Sequence, residues 1–178
     1  MLYNNGDKIE GKWINDKLEW YGIMKYNNFE GYWKNNLKEG EGNLKSKNED
    51  EYIGLWKDDI LIEGKVKYKN GDFYKGNLYQ KNKNGKGILK YNNDDFYEGD
   101  WINDKKEGNG IMKYKNGDKY EGYWKDDKKM EKGIMILKNK EKYEGIFEDD
   151  YLKNGNIKFQ NGNIIDFVIK EKKKEKEY

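Results

Sequence analysis

Hydrophobic and polar residues alternate along most of the chain, and the alternation keeps restarting. From Tyr97 the sequence reads YEGDWINDKKEGNGIMKYKNGD. Tyr97, Gly99 and Trp101 are separated by charged or polar residues, which is the two-residue period of a strand. Asn103 to Lys106 interrupts it with a polar turn. Gly108, Gly110, Met112 and Tyr114 then alternate again, and Lys115-Asn116-Gly117-Asp118 closes the stretch. Such a unit predicts a β-hairpin. Asn116-Gly117 suits a two-residue hairpin turn in which both central residues sit at positive φ.

The same signals begin again at Tyr120, 23 residues on, and at Tyr74, 23 residues back. A fixed period of this size marks a repeat array. Full copies start at Ile9, Phe29, Tyr52, Tyr74, Tyr97, Tyr120 and Tyr143, and the copy from Tyr52 is one residue short. Glycine holds the third slot of every copy. Tryptophan holds the fifth at Trp13, Trp33, Trp56, Trp101 and Trp124, with Leu78 and Phe147 in the other two copies. Glu131 replaces glycine in the twelfth slot of the sixth copy. Met1 to Asp7 reads as the second half of a repeat. Ile164 to Ile169 reads as one more strand, with Phe167 in the glycine slot, as suits a capping element.

These elements predict an all-β fold: an elongated, twisted, single-layer antiparallel β-meander, a solenoid-like rod of about seven hairpins with half-repeat caps. The array covers 1–169, and a Lys/Glu-rich tail, frayed helix or solvated coil, covers 170–178. Fourteen strands at ~4.8 Å give a sheet roughly 65–70 Å long, in which twist must accumulate. The alternation of rings with glycine is read as architecture. A ring that lies flat on a sheet needs a gap on the neighbouring strand, and glycine supplies it despite its weak strand propensity.

Composition narrows the function. The mean hydropathy is −1.33, and 39% of the 178 residues are charged, too polar for a thick aliphatic core. Aromatic residues make up 16%, against the composition of a disordered chain, so rings must do most of the burying. Thirty-six basic residues, all lysine, balance 34 acidic ones, leaving a net charge of +2 and no strong field. Without arginine, bidentate recognition of phosphates or bases is poorly served, and nucleic acid is not an expected partner. Cysteine and histidine are absent and Ser46 is the sole serine, so nucleophilic and general-base chemistry lack their usual groups. The Asp pairs lack calcium-loop spacing. No catalytic residue, cofactor or metal is expected. No stretch has the apolar length of a membrane-spanning helix and the first residues are no signal peptide, so a cytoplasmic location is expected.

The motif Y-x-G-x-W, followed by G-x-G and a closing N-G-D, resembles the MORN repeat (membrane occupation and recognition nexus). The copies from Tyr97 and Tyr120 fit best, and those from Ile9 and Tyr143 are looser. The resemblance implies a rod-like single-layer β-sheet. It implies a scaffold role at cytoskeletal, ciliary or membrane-linked structures, with no catalytic residue in the repeat and with phospholipid headgroups as a proposed ligand. The expected function is a non-catalytic scaffold in a cytoskeletal or axonemal assembly. Its expected partner-binding residues are the tryptophans Trp13, Trp33, Trp56, Trp101 and Trp124 with Tyr97, Tyr120 and Tyr143. An end-on edge at Ile165, Phe167 and Ile169 would serve docking or end-to-end self-association. The alternative is a peripheral adaptor for anionic lipid. It is the weaker reading, because lysines and aspartates share the same turns, as at Lys105-Lys106 beside Asp104.

Overall fold

A computed structural model describes residues 28–169 in full and, before them, the strand backbone of 8–9, 13–14, 17–18 and 23–26. The expected half-repeat at Met1–Asp7, the side chain of Trp13 and the tail at 170–178 lie outside the described residues. The early strands are β1 (Lys8–Ile9), β2 (Trp13–Ile14), β3 (Lys17–Leu18) and β4 (Ile23–Tyr26). Six hairpins follow: β5 (Phe29–Lys34) with β6 (Leu37–Lys45), β7 (Glu51–Lys57) with β8 (Ile60–Lys67), β9 (Phe73–Tyr79) with β10 (Asn82–Lys90), β11 (Phe96–Ile102) with β12 (Lys105–Lys113), β13 (Lys119–Lys125) with β14 (Lys128–Ile136), and β15 (Lys142–Glu148) with β16 (Tyr151–Lys158). β17 (Ile164–Val168) is the last strand.

All pairings are antiparallel, and the main sheet has the order β1-β4-β5 and then each strand in turn to β17. β2 and β3 pair only with each other. From β4 to β17 the described chain is therefore the all-β meander that the period predicts, in one open sheet, with the β2–β3 pair standing apart from it.

The register exposes the organising line of the sheet. Gly31 pairs with Gly42, Gly42 with Gly54, and the series runs glycine to glycine down to Gly145 and Gly155. Phe167 of β17 faces Gly155 and ends the column. A Cβ built on Gly110 would stand 2.3 Å from the Tyr97 hydroxyl and 2.6 Å from its ring carbons. Gly42 stands in the same relation to Phe29, Gly87 to Tyr74 and Gly133 to Tyr120. The second glycine of G-x-G is thus the seat of its own repeat's first ring, across the hairpin. The first has another job. Gly108 has a φ of 67° and lies where the β11–β12 register shifts, so it marks a bulge.

The turn chemistry differs from the expectation. The two-residue hairpin turn with both residues at positive φ is Asn103-Asp104 (48° and 68°), not Asn116-Gly117. Asp58-Asp59, Asp126-Asp127 and Asp149-Asp150 repeat it. Aspartate and asparagine tolerate this backbone better than other non-glycine residues. The Asn-Gly turn is a three-residue loop, because the Gly117 N–H donates to the Tyr114 carbonyl at 2.9 Å and only Gly117, at 95°, has positive φ. Glu49, Asp94 and Lys140 take that slot in other repeats at 73°, 70° and 69°.

Aspartates lace neighbouring turns together along both rims. On one rim the Lys106 N–H donates to Asp127 Oδ1 at 2.9 Å while the Asp127 N–H donates to the Lys106 carbonyl at 3.1 Å. Lys38 with Asp59, Lys83 with Asp104 and Lys129 with Asp150 make the same reciprocal pair. On the other rim, the closing aspartate of N-G-D accepts the next turn's backbone N–H: Asp118 from Lys138, Asp95 from Lys115, Asp72 from Asn92 and Asp50 from Lys69. Each is a charge-assisted bond of the stronger kind.

Because a side chain is strained at the Gly117 slot, Lys140→Gly is expected to raise stability by about 1 kcal/mol, and Gly117→Val to lower it by at least as much. Urea unfolding followed by tryptophan fluorescence measures both.

Candidate functional site

Three layers of contact build the ring face. Tyr97 lies on Gly110, and its hydroxyl donates to the Asp100 carbonyl at 3.2 Å. Trp101 of the same strand stands edge-on to it at 4.9 Å, and Trp124 of the next hairpin stands edge-on at 5.5 Å. Tyr120 meets Trp124 at 5.1 Å and Phe147 at 5.2 Å. Offset edge-to-face pairs of this kind add to the burial of their surface. Three indole N–H groups then return to the backbone: Trp56 donates to the Gly42 carbonyl, Trp101 to Gly87 and Trp124 to Gly110, at 3.2–3.3 Å. One glycine therefore seats a phenol and satisfies an indole.

Lysines close this face from above. Lys106 Nζ stands 4.5 Å from the Trp124 ring centre and 5.7 Å from Tyr97. Lys83 does the same over Trp101 and Tyr74, Lys129 over Tyr120, and Lys38 over Phe29 and Trp56. Burial pushes the Lys106 and Lys129 ammonium groups below their ordinary range. The opposite shift holds for the phenols. Burial, with Asp100 beside it, raises Tyr97, and burial raises Tyr74 and Tyr120. Tyr91 and Tyr114 are pushed up to about 12, again mainly by burial.

The expected partner-binding rings are consequently core residues. Trp33, Trp56, Trp101, Trp124, Tyr97 and Tyr120 are all buried, and Tyr143 is half-buried. At the far edge Ile165 and Ile169 are exposed, while Phe167 is half-buried. Among the described residues no group of acidic, histidine or cysteine side chains could hold a metal.

The accessible surface is on the other face. The residues flanking each glycine point there, and between β5 and β11 they enclose an open groove of about 1210 Å³ whose floor is the glycine column. One side of it carries Glu41, Leu55 and Glu63, which are direct cross-strand neighbours. The other carries Ile53, Lys65, Lys75, Ile88 and Glu98 in the same relation. Sequence reasoning missed this groove, because its signal is the set of positions on either side of glycine, not the rings that dominate the motif.

The MORN repeat pattern matches residues 29–51, 74–96, 97–119 and 120–141, about half of the chain. The chain belongs to the MORN repeat family. The unmatched 52–73 copy of this MORN array is the one a residue short, and β8 absorbs the loss with the single extra residue Ile62 where β12 carries Gly108 and Asn109. Among solved structures, the sheet is similar to the SAS-4 (dCPAP) TCP domain of Drosophila melanogaster, solved in complex with a proline-rich motif of Ana2 (dSTIL). The two share 13% identity and a TM-score of 0.50, over 91% of this chain and 96% of that one. No curated protein sequence matches. MORN repeats are interaction modules, and this array is of that non-catalytic type.

Trp101→Ala removes a ring shared by two repeats together with the hydrogen bond its indole donates to the Gly87 carbonyl, so a loss of about 3–5 kcal/mol is expected in thermal or urea unfolding. The fold holds the tyrosine protons more tightly than the unfolded chain does. Stability is therefore complete below pH 10 and falls as the pH rises above it, when the unfolded phenols ionise first. The two lowered lysines pull the other way but are outnumbered. Circular dichroism against pH, with tyrosinate absorbance, is expected to show both changes in one step.

Proposed function

We propose that this MORN array is a non-catalytic scaffold, a structural component of a cytoskeletal or ciliary assembly in the cytoplasm that holds other proteins along its open face and at its strand edge. The observation that carries the reading is that, among the described residues, a single continuous sheet consumes its rings and rims in its own packing and leaves the other face to solvent. Such a sheet presents a long rigid surface and no site for chemistry. The SAS-4 domain, which shares the fold and takes a proline-rich motif, supports the idea that a sheet of this shape accommodates a peptide.

The edge gives a second contact. Among the described residues β17 is the outermost strand and has no partner on its outer side, with Ile164, Ile165, Val168 and Ile169 exposed, and an open apolar edge favours strand addition. End-to-end association of arrays through β17 follows from the same reading. The lipid alternative has less support: the turn lysines Lys105 and Lys128 are paired with Asp126 and Asp149, and four of the lysines on the ring face are folded over rings.

Proximity labelling with the tagged chain in its own cells is expected to return cytoskeletal or axonemal proteins. A label set dominated by membrane proteins, together with sedimentation on phosphoinositide liposomes, would favour the lipid reading. For the edge, Ile165→Lys is expected to convert any concentration-dependent mass in light scattering to a monomer without loss of stability.

A further inference from the structure

We propose that the groove along the glycine column holds an extended polyproline-II segment of a partner protein, with basic residues three apart on one side and an acidic residue on the other. This deepens the scaffold reading by naming the partner's chemistry.

Charge is the first ground. The rim carboxylates are engaged with backbone N–H groups, as Asp59, Asp104, Asp127 and Asp150 show. Those of the groove are not. Glu41, Glu63 and Glu98 make no ion pair or side-chain hydrogen bond among the described residues, and neither do Lys65 and Lys75. Lys65 and Lys75 are directly opposite one another on adjacent strands. Like charges so placed cost stability unless something lies between them. The groove thus offers two carboxylates flanking Leu55 on one side, and an unpaired lysine couple followed by Glu98 on the other.

Spacing is the second ground. Glu41 and Glu63 are two strands apart, about 9.6 Å at the usual strand separation. A polyproline-II helix repeats every three residues, about 9.3 Å, and so stays in step. Two turns of an α-helix advance about 10.8 Å and fall out of step by about 1.2 Å per repeat. From Glu63 to Glu98 is three strands, about 14.4 Å. Five polyproline-II residues cover about 15.5 Å and turn the side chain by a third of a revolution, toward the other side of the groove. That is the side on which Lys65, Lys75 and Glu98 stand. An acidic residue two positions after the second basic one meets the lysine couple.

The probe is the labelled peptide PPKPPKPEPPKPP, titrated against the full chain by fluorescence anisotropy. Saturable binding is expected, with a loss of at least tenfold in the variant Glu41→Lys/Glu63→Lys and no binding of the charge-reversed peptide PPEPPEPKPPEPP. Lys75→Glu relieves the like-charge couple, so its thermal midpoint should rise while its affinity for the probe falls. A merely structural lysine would not split the two readouts. No binding of the probe, equal binding by the groove variant, tighter binding of a helical peptide of the same charges, or preference for phosphatidylserine vesicles would each overturn the proposal. Cellular partners captured equally by wild type and Glu41→Lys/Glu63→Lys would overturn the groove and leave the scaffold reading standing. A chain that captures neither peptide nor protein would overturn both.

Discussion

An aromatic ring lying on a glycine of the next strand is the contact on which the rest of this protein depends. The chain is too polar to build a conventional core, so its burial comes from tyrosine, tryptophan and phenylalanine. Rings of that size fit against a single sheet only where the neighbouring backbone carries no Cβ, and twelve successive strands supply that position as glycine. The same glycines offer their carbonyls to the indole N–H groups. Losing one of them would both lift a ring and orphan a donor. The 23-residue period follows, because the phenol of one hairpin and the indole of the next must meet over the same glycine.

The lysines and aspartates that make the sequence look solvated are largely structural. Lys38, Lys83, Lys106 and Lys129 each cover two or more rings while their own backbone N–H is held by an aspartate from the next turn. The turn aspartates adopt the left-handed backbone and also bridge to the preceding repeat. Repeats are therefore joined three times: by the ladder, by the shared rings and by the rims. Stability in such an array grows by nearest-neighbour terms. What is left unsatisfied is concentrated on the groove face and at β17, which is why function is placed there.

The period, the hairpins and the ring–glycine relation were legible in the sequence, because each rests on spacing alone. The two turns were confused because Asn116-Gly117 has the composition of a two-residue turn, whereas loop length depends on where the ladder closes. Tyr114 pairs with Asp118 and so makes room for three residues. The depth of the rings was only half legible. Tryptophan at the fifth slot signalled an aromatic face, but its burial depends on lysines and rings of the preceding hairpin, contacts 14 to 27 residues away. The groove was invisible because no single motif position marks it. Glu41, Leu55 and Glu63 look like ordinary solvent-side residues until the register sets them side by side.

A double-mutant cycle between Tyr97 and Gly110 tests the central contact most directly, since the three atoms nearest a Cβ on Gly110 all belong to that ring. Gly110→Ala is expected to cost at least about 2 kcal/mol in the native chain and well under half of that in a Tyr97→Val background, a coupling of about 1 kcal/mol or more. Equal costs in the two backgrounds would contradict it, and the glycine column would then have some purpose other than seating rings.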